Sequence, residues 1–170
     1  MNPNSDFTHF DSHGNARMVD VGAKPPTERI AVARTSVCMA EETATLIQQQ
    51  ALYKGDVLQV ARLAAIMAAK RTDELIPLCH SLNVSSTEVE LEFVEPGILQ
   101  ITTRVKTNGP TGVEMEALVA ASTAALTVYD MCKAVDRGMT IRELMLLEKR
   151  GGKSGDWIRE EVTVRPAKSN

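Results

Sequence analysis

The sequence predicts an α+β domain with helices laid against an antiparallel sheet, and three observations carry this. Thr87 to Val94 and Ile98 to Lys106 alternate apolar and polar residues about the turn Glu95-Pro96-Gly97, the pattern of a hairpin. From about Gly112 to Val135, Leu118, Ala121, Ala125, Val128, Cys132 and Val135 recur at three–four spacing, the stripe of one long helix. A strand and a helix pair precede the hairpin, and a last strand follows the long helix.

Taken in order, Arg29 to Met39 alternates and reads as a strand, and Glu41 to about Leu52 as a short helix. Tyr53-Lys54-Gly55-Asp56 breaks the chain, and Asp56 is placed to cap the next helix by accepting from its free amides. That helix, about Val57 to Arg71, is apolar on nearly every side and should be buried. Thr72 to Leu82 reads as a loop, with Pro77 holding Ile76 extended. The hairpin comes next, then the break Thr107-Asn108-Gly109-Pro110. Thr111-x-x-Glu114 has the form of a capping box for the long helix, and Gly138 is its stop signal. Thr140 to Glu148 is the last strand, followed by the basic, glycine-rich stretch from Lys149 to Asp156.

The resulting βαββαβ order is that of a ferredoxin-like sandwich with an antiparallel sheet and an extra helix. Residues 1–28 read as a flexible N-terminal arm, 29–157 as a single catalytic domain and 158–170 as a polar tail.

Hydrophobic residues make up 44% of the 170 and aromatics only 4%, so the core must be aliphatic, and platforms for stacking nucleic-acid bases are scarce. The net charge of −3 lacks the basic surplus of a nucleic-acid binder. Positive charge is local instead, at Lys149, Arg150 and Lys153, which suits a small anionic ligand. Cys38, Cys79 and Cys132 are odd in number and widely spaced, which fits reduced thiols in a cytoplasmic protein better than a disulfide framework or a zinc site. The N-terminus has no apolar signal segment, and no run reaches membrane-spanning length.

Several residues are candidates for chemistry. His80 follows Cys79 in a loop, but adjacent side chains rarely face each other, which argues against a Cys-His protease. Glu114 and Glu116 lie in the first helical turn, where free amides favour negative charge. Asp130 and Lys133 sit three apart among apolar neighbours, so the lysine is expected to be partly buried, with a lowered pKa suited to acid–base work or to phosphate. Glu116 and Asp130 face roughly the same way but lie about 21 Å apart along the axis. One small ligand could hardly touch both within one subunit. An antiparallel copy of the helix would bring them together across a face of Val119, Ala120, Ser122, Thr123 and Thr127, which predicts an active site at a two-fold interface. The loop after Lys149 can present amides and ammonium groups to oxyanions. It is not a Walker loop, because Leu147 stands where that motif needs glycine.

The stretches MVDVGAK at 18–24, KGDV at 54–57, AAKRTDELIPLCH at 68–80, TGVEMEAL at 111–118, ALTVYDMCKAVDRGM at 125–139 and GGKSGDW at 151–157 together resemble the cyclic pyranopterin monophosphate synthases of molybdenum-cofactor assembly. The resemblance implies a lyase that converts (8S)-3′,8-cyclo-7,8-dihydroguanosine 5′-triphosphate to cyclic pyranopterin monophosphate and diphosphate; the conversion involves no net oxidation, so no cofactor is expected, and no residue is assigned to a metal. It also implies a cytoplasmic homohexamer, a trimer of dimers with active sites at the dimer interfaces, and neither nucleic acid nor membrane as partner.

By the same resemblance, Asp130, Lys133 and Lys54 are the catalytic residues, Lys54 through acid–base work or phosphate contact. Leu78, Cys79, His80, Glu114, Met115 and Glu116 contact substrate; from the basic glycine-rich loop itself, Lys149 and Lys153 are expected to close over its phosphates. Two positions depart from the family pattern: Ser81 stands where proline is common, and Pro110 where a basic residue is.

Overall fold

The computed structural model describes residues 13–52, 55–153 and 155–160, so Lys54 lies outside the described residues. Strand β1 (Thr27–Cys38) is followed by helices α1 (Glu41–Gln48), α2 (Val57–Ala69) and the single turn α3 (Thr72–Leu75). Strands β2 (Val84–Glu95) and β3 (Ile98–Gly109) form the hairpin, then come α4 (Glu114–Cys132), β4 (Thr140–Arg150) and the two-residue β5 (Trp157–Ile158). The sheet order is β2-β3-β1-β4-β5 and every neighbouring pair is antiparallel, so the fold is the predicted ferredoxin-like α+β sandwich.

Alternation along the two central strands separates an inner face from an outer one. Ala31, Ala33, Thr35 and Val37 of β1 and Leu99, Ile101, Thr103 and Val105 of β3 are wholly buried against the helices. The small residues on β1 meet Ala117, Ala120, Ala121 and Ala124 of α4, also wholly buried, so the long helix lies close over the sheet. Thr103 Oγ1 donates to the Ala117 carbonyl at 2.8 Å, which satisfies a buried hydroxyl and fixes where the first turns of α4 sit along the strands. At the other end of α4, Asp136 accepts from the Ala40 amide at 2.9 Å and tethers the start of α1.

The hairpin turn depends on Gly97. Its φ is +73°, and a Cβ there would lie 2.4 Å from the Met39 carbonyl oxygen, so only glycine fits.

The structure corrects four sequence expectations. Thr111 does not cap the long helix. Val113 is the N-cap, with no side-chain cap bond, because Glu114 folds back over Gly112 instead of closing a box. Asp56 does cap α2, accepting from the Gln59 amide at 3.1 Å, but α2 is not buried all round. Its alanines face the core while Val60, Leu63 and Met67 remain exposed. The stretch after Thr72 contains the helical turn α3 rather than loop alone. The residues after Trp157 are not all tail, since Ile158 pairs with Glu148.

Candidate active site

Inward-facing positions run out of core at one end of the sheet, and a cleft of about 590 Å³ opens there. Arg29 shares the inward parity of Ala31 and Ala33 on β1, and Lys149 of β4 pairs with Ala31. Both lie beyond the point where α4 begins, so they meet the cleft instead of aliphatic side chains. Lys24, Arg150 and Lys153 complete a basic lining whose acidic member is Glu114. Lys149 Nζ stands 3.6 Å from Glu114 Oε1, with both side chains about one-third exposed.

The glycine-rich loop closes the cleft by direct contact with Arg29. Arg29 Nη1 donates to the Gly151 carbonyl at 3.2 Å, and Nη2 donates to the Pro110 carbonyl at 3.5 Å. Arg29 Nε is buried without a hydrogen-bond partner among the described residues. A guanidinium held in this way, with a donor unmet, favours an incoming oxyanion. Gly152 permits the packing: its φ is +86°, and a Cβ would lie 1.6 Å from Nη1.

The loop Leu78-Cys79-His80 lies beside the first turns of α4. Cys79 Sγ donates to Glu116 Oε1 at 3.7 Å. Glu116 is 2% exposed and its Oε2 has no hydrogen-bond partner among the described residues. Burial, followed by the Coulombic effect of Glu114 and Asp73, raises its pKa above the usual glutamate value. Burial and the facing Glu116 carboxyl likewise push the Cys79 thiol up to about 11. His80 Nε2 donates to the Val19 carbonyl at 2.6 Å, so that nitrogen carries a proton and the N-terminal segment is drawn over the loop. Ser81, the departure from the family pattern, donates its hydroxyl to Asp73 of α3 and ties down the far side of the loop.

Asp130 and Lys133 form an ion pair of 2.6 Å at the far end of α4. The expected burial of the lysine is not found, because its side chain is 52% exposed. Its pKa is raised rather than lowered, first by the hydrogen bond it donates to Asp130 and then by that residue's charge. The expected common face also divides. Glu116, Val119 and Ala120 are covered by their own subunit, whereas Ser122, Thr123 and Thr127 are half-buried and Asp130 and the 59%-exposed Leu126 look outward.

Comparison with known proteins bears on this arrangement. Residues 18–152 match the MoaC family. The chain belongs to the MoaC family. Its curated relatives include a cyclic pyranopterin monophosphate synthase of Thermomicrobium roseum, 56% identical over 96% of this chain and 99% of that protein. Proteins of the same name from Desulfitobacterium hafniense and Peptoclostridium acidaminophilum are 54% and 52% identical, each over 92% of this chain and 96% and 99% of their own lengths. This MoaC chain brings Glu114, Lys149 and Lys153 into the basic cleft and gathers Cys79, His80 and Glu116 beside it. It leaves Asp130 about 21 Å from Glu116 along α4, and Lys133 farther still. Lys24, Arg29 and Thr111 also line the cleft, and sequence reasoning missed them. A signal for Arg29 was present: it is a charged residue on the inward parity of a core strand.

Proposed function

We propose that this MoaC family member is a cyclic pyranopterin monophosphate synthase, converting the cyclised guanosine triphosphate to cyclic pyranopterin monophosphate with release of diphosphate. The observation that carries this reading is the cleft. A relative of that name is 56% identical over nearly its whole length, and three of the stretches shared with its family, 18–24, 111–118 and 151–157, contribute to one basic, oxyanion-accepting pocket. Lys24, Arg29, Lys149 and Lys153 hold the triphosphate, while His80, Met115 and Glu116, with the backbone of Leu78 and Cys79, orient the base and sugar.

Proton transfer falls to Asp130, Lys133 and Lys54. Asp130 holds Lys133 as an ammonium ion, so the lysine enters the reaction as an acid, and the carboxylate is the conjugate site for the returning proton. Loss of diphosphate, cyclic phosphate closure and ring rearrangement need no net oxidation.

Because one subunit separates Asp130 and Lys133 from its own cleft, the working site takes them from a second copy. Exposed Val60, Leu63 and Met67 of α2 and Leu126 of α4 supply an apolar surface for that copy, in a dimer that assembles into a cytoplasmic hexamer. Among the described residues, no helix is long and apolar enough to cross a membrane.

The test is to supply the cyclised nucleotide and follow diphosphate and pterin together. Both are expected in equal amounts. Lys133→Ala is expected to abolish turnover with the fold intact, and near-normal turnover by that variant would remove Lys133 from the mechanism. Binding without turnover by the unaltered chain would overturn the proposal.

A further inference from the structure

Glu116 presents a buried carboxyl with two unequal oxygens. Oε1 receives the Cys79 S–H at 3.7 Å, and Oε2 has no partner among the described residues. A carboxylate accepts hydrogen bonds at about four lone-pair positions, and leaving such a charge 2% exposed with only the weak Cys79 thiol and its own backbone amide as donors is costly. Within its own subunit, the charged groups that act on Glu116 are Glu114 of its own helix and Asp73 of α3, and both are acidic. The neutral form is therefore the one that this surrounding supports.

A neutral carboxyl carries one hydrogen, and Cys79 determines where. The oxygen that accepts the S–H is the carbonyl oxygen, so the hydroxyl falls on Oε2. Cys79 remains a thiol, and hence a donor, through the neutral range. The Cys79 loop is itself fastened on both sides, by His80 to the Val19 carbonyl and by Ser81 to Asp73.

We propose that Cys79 is a positioning residue: by donating to Oε1 it directs the Glu116 carboxyl to meet the bound nucleotide through Oε2–H, as a neutral hydrogen-bond donor to an acceptor atom of the purine-derived ring. The choice of substrate atom rests on the function proposed above, whereas the state of the resting pair does not. The arrangement selects for a carbonyl or unprotonated ring nitrogen opposite Oε2, and against a ring that offers N–H there.

Two measurements test it. Infrared difference spectra at pH 7 between the full chain and Glu116→Gln should show a neutral-carboxyl C=O band that the glutamine variant lacks. In Cys79→Ala that band should shift as its carbonyl loses the S–H donor, and Cys79→Ser should move it back. In turnover of the cyclised nucleotide, Cys79→Ala should lose about three- to tenfold in kcat/KM, the scale of one hydrogen bond, with the loss in KM and most of it recovered by Cys79→Ser.

Absence of a neutral-carboxyl band, or a Cys79→Ala variant with band and KM both unchanged, would overturn the inference. If the unaltered chain failed to turn over the nucleotide, the proposed function would fall, while the infrared measurement would still decide the Cys79–Glu116 arrangement.

Discussion

Replacing Gly152 by alanine should damage both the glycine-rich loop and the cleft, and the structure sets the scale of each effect. At φ +86°, alanine must adopt left-handed backbone, which costs about 1–2 kcal/mol. Its Cβ would also fall 1.6 Å from Arg29 Nη1, so the guanidinium must leave its place and give up the bond to the Gly151 carbonyl, about 1 kcal/mol more. The total is about 2–3 kcal/mol in denaturant unfolding. Moving Arg29 removes the proposed charged contact to phosphate, about 1.5–3 kcal/mol, so KM for the cyclised nucleotide should rise about ten- to hundredfold. Gly155 is the control: its φ is +69° but nothing lies within 4 Å of a Cβ there. Gly155→Ala should show the backbone cost alone and leave KM in place. If the two variants behaved alike in KM, the contact between Gly152 and Arg29 would not shape the cleft.

Three further predictions follow from the same contacts. Glu116 binds its proton more tightly folded than unfolded, so its contribution to stability should be full below its ordinary value of 4.5 and decline as pH rises towards its raised native value. Denaturant unfolding across that interval should show the decline, and Glu116→Gln should remove it. Asp130→Asn should lower the pKa of Lys133 and move the basic limb of the pH–rate profile to lower pH, and an unmoved limb would exclude the lysine as its source. Leu99→Ala, at a wholly buried position between sheet and helices, should cost about 2–5 kcal/mol in unfolding free energy.

The fold was legible where local pattern and tertiary environment agree. The alternation of β1, β2 and β3 and the stripe of α4 are written in neighbouring residues, and so is the turn at Gly97. The cleft was only half legible, because its contacts join distant parts of the chain. Nothing near Arg29 announces Gly151, which it meets across 122 residues. The capping box failed for a similar reason: Glu114 is drawn towards Lys149 and away from Thr111. Apolar composition misled on α2, since it marks a face that must be covered but does not say whether the same subunit covers it. Met131 and Cys132 beside Lys133 turned inward, while the lysine turned out together with Ala134 and Val135.

The outermost strand, β2, carries Glu88, Glu90 and Glu92 in alternate, exposed positions. Were two molecules to join there by continuing their sheets about a dyad, carboxylates of one would stand against carboxylates of the other, and that repulsion opposes the junction. Growth of the sheet from chain to chain is thus barred on this margin at neutral pH, and acidification should relax the bar. A row of like charge on this margin works against the fibre-like stacking that an unguarded edge invites.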